Sequence, residues 1–124
     1  MNDKEEKDLA TISTFFAAKS NVTFAYRYFP IKDSGYQPMV KYEIAFHLDG
    51  KFSPKSIFDL QLEYLHDLHR LLHTDNLILV PINTCPVPYQ QIIVKTGKVI
   101  FIGDERALDS FKTLHHQLLQ LYQQ

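Results

Sequence analysis

The stretch from Ser53 to Thr74, SPKSIFDLQLEYLHDLHRLLHT, limits the choice of fold more than any other. Ser53 is a helix-capping residue type, and Pro54 fits the first helical position, where a missing N–H costs nothing. About twenty residues then pass without Gly or Pro, enough for a helix roughly 30 Å long. At roughly 100° per residue, Ile57, Phe58, Leu60, Tyr64, Leu65, Leu68, Leu71 and Leu72 fall on one broad face. Asp59, Glu63, His66, Asp67, His69, Arg70 and His73 fall opposite. A helix so rich in leucine on one side must lie on a flat apolar surface, and the strands around it are expected to supply it.

The flanking segments carry the alternation that a sheet requires. Val22–Phe29 places Val22, Phe24, Tyr26 and Tyr28 on one side and Thr23, Ala25, Arg27 and Phe29 on the other. Pro30 closes that strand, and Ile31–Pro38 with Gly35 reads as a loop. Met39–Leu48 alternates Val40, Tyr42, Ile44, Phe46 and Leu48 with Lys41, Glu43, Ala45 and His47, a pattern with one face on a core. Leu77–Ile82 is an apolar run of the kind found in strands buried on both faces. Asn83–Pro88 reads as loop, because its two prolines withhold ladder donors. Gln90–Lys95 and Lys98–Gly103 then flank Thr96-Gly97 as a hairpin. Helices are expected over Asp3–Lys19, where Leu9, Ile12 and Phe16 recur, and over Asp104–Tyr122. The inner face of the latter would hold Ala107, Phe111, Leu114, Leu118 and Leu121. The order α-β-β-α-β-β-β-α predicts an α+β fold with a five-stranded antiparallel sheet, formed as one domain over residues 1–124.

With 124 residues, 45% hydrophobic and 22% charged, the chain has an ordinary soluble composition. A net charge of −1 leaves no electrostatic footprint for nucleic acid or an anionic membrane. The opening MNDKEEKDLA has no apolar leader run, and the apolar run Leu77–Val80 is too short to span a bilayer. One cysteine, Cys85, excludes an internal disulfide, and a cytoplasmic location is expected.

Candidate chemistry is sparse. His66, His69 and His73 sit within roughly 60° on the polar face of the long helix, the geometry of a partial zinc site. A fourth ligand is undefined, and the plain alternative is a solvated face. Leu62 lies in the same stripe, which suits a protein contact better than water. Cys85 next to Pro86 matches no nucleophile signature, and a small packed thiol is the simpler reading. The four glycines form no phosphate-cradling loop, and the acids show no paired spacing. Tyr26, Tyr28 and Arg27 on an aromatic-rich strand fit either cross-strand packing or a contact surface. From Thr113 to Gln124 the last helix has no formal charge, so Gln117 and Gln120 on its outward face are candidates for a partner contact.

In its element order the chain resembles the roadblock and longin-like group and small secretion chaperones. That resemblance implies a non-catalytic module that dimerises and binds proteins. The segment VPYQQIIVKTGKVIFIGDE with the following helix is similar to the last third of thioredoxin-like domains, but no Cys-x-x-Cys accompanies it. The expectation from these readings is a non-enzymatic protein-binding module: an adaptor, chaperone or inhibitor of another protein. It would need no cofactor, and its partner is a protein or a second copy. The alternatives are a small metal-binding protein or metal-dependent enzyme using the histidine row, and a thioredoxin-like domain without redox activity.

Overall fold

The computed structural model describes residues 2–30 and 40–122, with the side chain of Tyr122 excepted. The expected loop over Ile31–Pro38, the strand start at Met39 and the terminal Gln123 and Gln124 lie outside the described residues.

Helix α1, Asp3–Ala17, starts at Asn2, whose Oδ1 accepts the Glu5 N–H at 2.8 Å. Strand β1, Val22–Arg27, is buried along nearly its whole length and forms the centre of the sheet. It pairs antiparallel with β2, Tyr42–Leu48. Helix α2, Pro54–Leu72, begins as its sequence dictates: Ser53 Oγ accepts the Ser56 N–H at 3.1 Å, and Pro54 occupies the first turn. At about 1.5 Å per residue this helix returns the chain along the full length of the sheet. The next strand, β3 (Leu77–Pro81), therefore lies parallel to β2, with Tyr42 opposite Leu77. A strand–helix–strand connection of this length gives a parallel pair, where a short turn would give an antiparallel one.

The expectation fails between Pro86 and Gly97. A 3-10 turn, Ile82–Thr84, leads into helix α3, Val87–Thr96, in place of the expected strand over Gln90–Lys95. Pro86 and Pro88 withhold ladder donors, yet proline's fixed φ also suits the start of a helix. Of Ile92, Ile93 and Val94 only Ile93 is fully buried, as in a helix lying across a sheet. Gly97 ends α3; it is not part of a hairpin. Strand β4, Lys98–Ile102, pairs antiparallel with β1, and α4, Glu105–Tyr122, follows.

The result is α+β with a four-stranded mixed sheet of order β3-β2-β1-β4, not a five-stranded antiparallel one. Helices α1 and α2 cover one face, around Ile12, Phe16, Phe46 and Leu68. Helices α3 and α4 cover the other, around Phe24, Tyr28, Ile93 and Phe111. Among the described residues no helix is long and apolar enough to cross a membrane.

Candidate functional site

Strand alternation separates two chemistries on β1 and β2. Tyr42, Ile44, Phe46 and Leu48 enter the α1–α2 core, so Glu43, Ala45 and His47 face α3 and α4. The end of β1 runs beside the start of β2, and the Tyr28 N–H donates to the Glu43 carbonyl at 3.0 Å. Tyr28 is buried on the α3 side, and its hydroxyl lies 2.8 Å from that of Tyr89, with the rings edge to face. Tyr89 reaches this position only because Val87–Thr96 is helical.

Around this phenol pair the protons are held tightly. Burial raises the Tyr28 hydroxyl most, and the Tyr89 hydrogen bond and the charges of Tyr89, Glu43 and Cys85 add to it. Burial likewise raises Tyr89, the Cys85 thiol and the Glu43 carboxyl. Desolvation disfavours each charged form. The phenols and the thiol therefore stay protonated, so the group is unsuited to supplying a thiolate.

Two further polar arrangements lie on the same side of the sheet. Thr23 Oγ1 is 2.6 Å from His47 Nδ1 and donates to or accepts from it, while the His47 ring stacks on Phe24 at 4.7 Å. His115 of α4 is wholly buried between two glutamines of α3. Gln91 Nε2 donates to its Nδ1 at 2.6 Å, and its Nε2–H donates to Gln90 Oε1 at 2.8 Å. Gln90 is in turn held by the Ile82 and Cys85 carbonyls.

The residues singled out from sequence do not converge. Tyr26 and Tyr28 are 2% and 1% exposed, so these strand aromatics are core and not a contact surface. The Tyr26 hydroxyl, pushed up to about 12 by burial, has no hydrogen-bond partner among the described residues. Arg27 points to the opposite face, 3.7 Å from Glu5 and within 3.4 Å of the Lys41 carbonyl. His66 is exposed; His69 Nε2 contacts the Leu77 carbonyl at 3.1 Å, and His73 ends α2 in the left-handed conformation. Among the described residues no group of three or more His, Cys, Asp and Glu is placed to hold a metal ion. Leu62 is 49% exposed, and Gln117 and Gln120 are exposed on α4, where Gln120 contacts His116 at 3.3 Å. The sequence marks neither Tyr89 nor the two glutamines, and it offers His115 only as one possible fourth ligand to a zinc ion, not as a buried core residue. The spacing Leu108–Phe111–His115 marks His115 as a core position once a histidine is allowed on an apolar face.

No protein-family model and no curated protein matches the chain. Solved structures do. A chain in the crystal structure of the toxin–antitoxin MntA–HepT superimposes with a TM-score of 0.67 at 15% identity, over 95% of this chain and 89% of that one. A chain of the Shewanella oneidensis complex of a tri-AMPylated HEPN toxin with an MNT antitoxin gives 0.65 at 15% identity, over 96% and 89%. A toxin–antitoxin structure with AMP-PNP gives 0.63 at 14% identity, over 95% and 89%. These matches overturn the resemblance to roadblock, longin-like and secretion-chaperone modules, and helix α3 removes the thioredoxin-like one. The expectation of a non-enzymatic adaptor, chaperone or inhibitor gives way too, because the neighbours are toxin–antitoxin structures that include an AMPylated toxin and an AMP-PNP complex. What this chain shares with them is the fold.

Proposed function

We propose that this protein is one component of a toxin–antitoxin pair, a nucleotidyltransferase-like protein that acts on its partner with an adenine nucleotide. The observation that carries the reading is the fold match along nearly the whole chain to structures of such pairs, one bearing AMPylation and one AMP-PNP. The step is attack of a partner hydroxyl on the α-phosphorus of ATP, with a new P–O bond, loss of pyrophosphate and release of the hydroxyl proton. Glu43, on the face of β2 beside Tyr28, is the carboxylate we assign to take that proton. A reduced lone cysteine suits a pair that works in the cytoplasm.

The test begins with the protein that co-purifies with this chain from its native host. Expressed alone, that protein should arrest growth, and co-expression with this chain should restore it. With ATP and magnesium, its intact mass should rise by one or more adenylyl groups, and Glu43→Gln should abolish the gain. A captured protein that is harmless in every combination overturns the pairing. A relieved toxin whose mass never changes removes the adenylyl step.

A further inference from the structure

Strand β4 is hydrogen-bonded to β1 on one side and, among the described residues, to no strand on the other. An open edge presents a row of unpaired N–H and C=O groups and takes up an extended chain unless it is blunted. The sequence of β4, KVIFI, has no proline, and its single charge stands at its first residue.

A groove flanks this edge on each face of the sheet. On the α1 side a groove of about 450 Å³ is lined by Glu5, Leu9, Arg27, Lys98 and Ile100. On the α4 side a groove of about 560 Å³ is lined by Val99, Lys112, His116 and Leu119. Successive side chains of an added strand point to alternate faces, so they would enter the two grooves in turn. Cations dominate the lining: Arg27, Lys98 and Lys112 stand against the one carboxylate of Glu5. Among the described residues Arg27 Nε is buried without a hydrogen-bond partner, while the rest of the guanidinium lies 3.7 Å from Glu5 and donates to the Lys41 carbonyl at 3.4 Å. A second copy of β4 would bring another Lys98 and no carboxylate.

We propose that the β4 edge takes up an extended acidic–apolar segment of another polypeptide as an additional strand, with carboxylates toward Arg27, Lys98 and Lys112. This reading stands apart from the toxin–antitoxin one, because it is tested with a synthetic peptide. The probe is a fluorescein-labelled Val-Glu-Val-Glu-Val-Glu hexapeptide, compared with a Val-Lys counterpart and with a version carrying a central proline. Anisotropy should show binding of the acidic peptide only, and amide exchange over 98–102 should slow on its addition. Lys98→Glu combined with Lys112→Glu changes two exposed side chains, so folding is retained. It should weaken the acidic peptide about tenfold or more and admit the lysine peptide. The proposal is overturned if the acidic and basic peptides bind alike, or if the proline version binds as well. It also fails if no binding is seen at millimolar peptide, or if protection falls on α2 or α4. Light scattering that shows a doubled mass with β4 already protected would give the edge to a second copy instead.

Discussion

His115 is a fully buried titratable ring with a neighbour on each nitrogen. Donation from Gln91 to Nδ1 fixes the neutral Nε2–H tautomer. Burial lowers its pKa, and burial lowers that of His47 too. A histidine depressed in the folded state is neutral above its unfolded pKa of about 6.5, where its full contribution to stability is present. As pH falls below that value the unfolded chain binds the proton first, and stability drops until the folded pKa is passed. Urea midpoints should therefore fall between pH 8 and pH 5, and His115→Gln should flatten the slope, leaving the share due to His47. His73 offers a test of opposite sign. It caps α2 at φ 54°, a conformation that costs an ordinary L-residue roughly 1–2 kcal/mol, so His73→Gly should gain roughly 1 kcal/mol in urea unfolding. That cap also explains why the histidine row read from the sequence is not a cluster.

The elements differ in how plainly their residues announce them. Helix α2 was legible because Ser53, Pro54 and the leucine spacing all agree. Helix α4 was legible in extent but not in rotation. Leu114 and Leu121 were expected inside, yet they are 50% and 66% exposed, while Leu108, Phe111 and His115 are buried. Counting only apolar residues pulled the inferred face away from His115. In equilibrium unfolding Leu108→Ala and Phe111→Ala should each cost about 2–5 kcal/mol, whereas Leu114→Ala and Leu121→Ala should stay within about 0.5 kcal/mol. Helix α3 was hidden because Thr96-Gly97 reads as a hairpin turn and the two prolines read as loop, whereas Gly97 caps a helix that those prolines begin. Its end is set by space. A Cβ on Gly97 would collide with the Ile93 carbonyl and come within 3.0 Å of the Arg27 carbonyl. Both obstacles are backbone, so Gly97→Ala should cost about 1–3 kcal/mol by thermal melting, through a displaced start of β4.

At the scale of the whole molecule, class and most element positions could be read from the chain, but the sheet could not. Whether Leu77–Pro81 runs parallel or antiparallel depends on the path of α2 over the sheet, which no residue in β3 encodes. The Tyr28–Tyr89 pair was hidden for the same reason, since it joins residues 61 positions apart through the helix that the sequence did not show. The likeness to toxin–antitoxin structures at 14–15% identity was equally beyond motif reading.

The strand order also sets a timetable for synthesis. β1 is the second element made, yet the partner on one of its sides is β4, the last strand. At about 5–20 residues per second, the ribosome needs roughly 4–14 s to travel from the end of β1 to the start of β4. During that interval the apolar β1, VTFAYR, has one bare flank on the nascent chain. A chain cut after Thr96 makes that state permanent. It should sediment as aggregate in a cell-free translation, while the full-length chain stays in the supernatant. Any trigger factor or holdase supplied to the reaction should act on the truncated product and on early full-length chains alike.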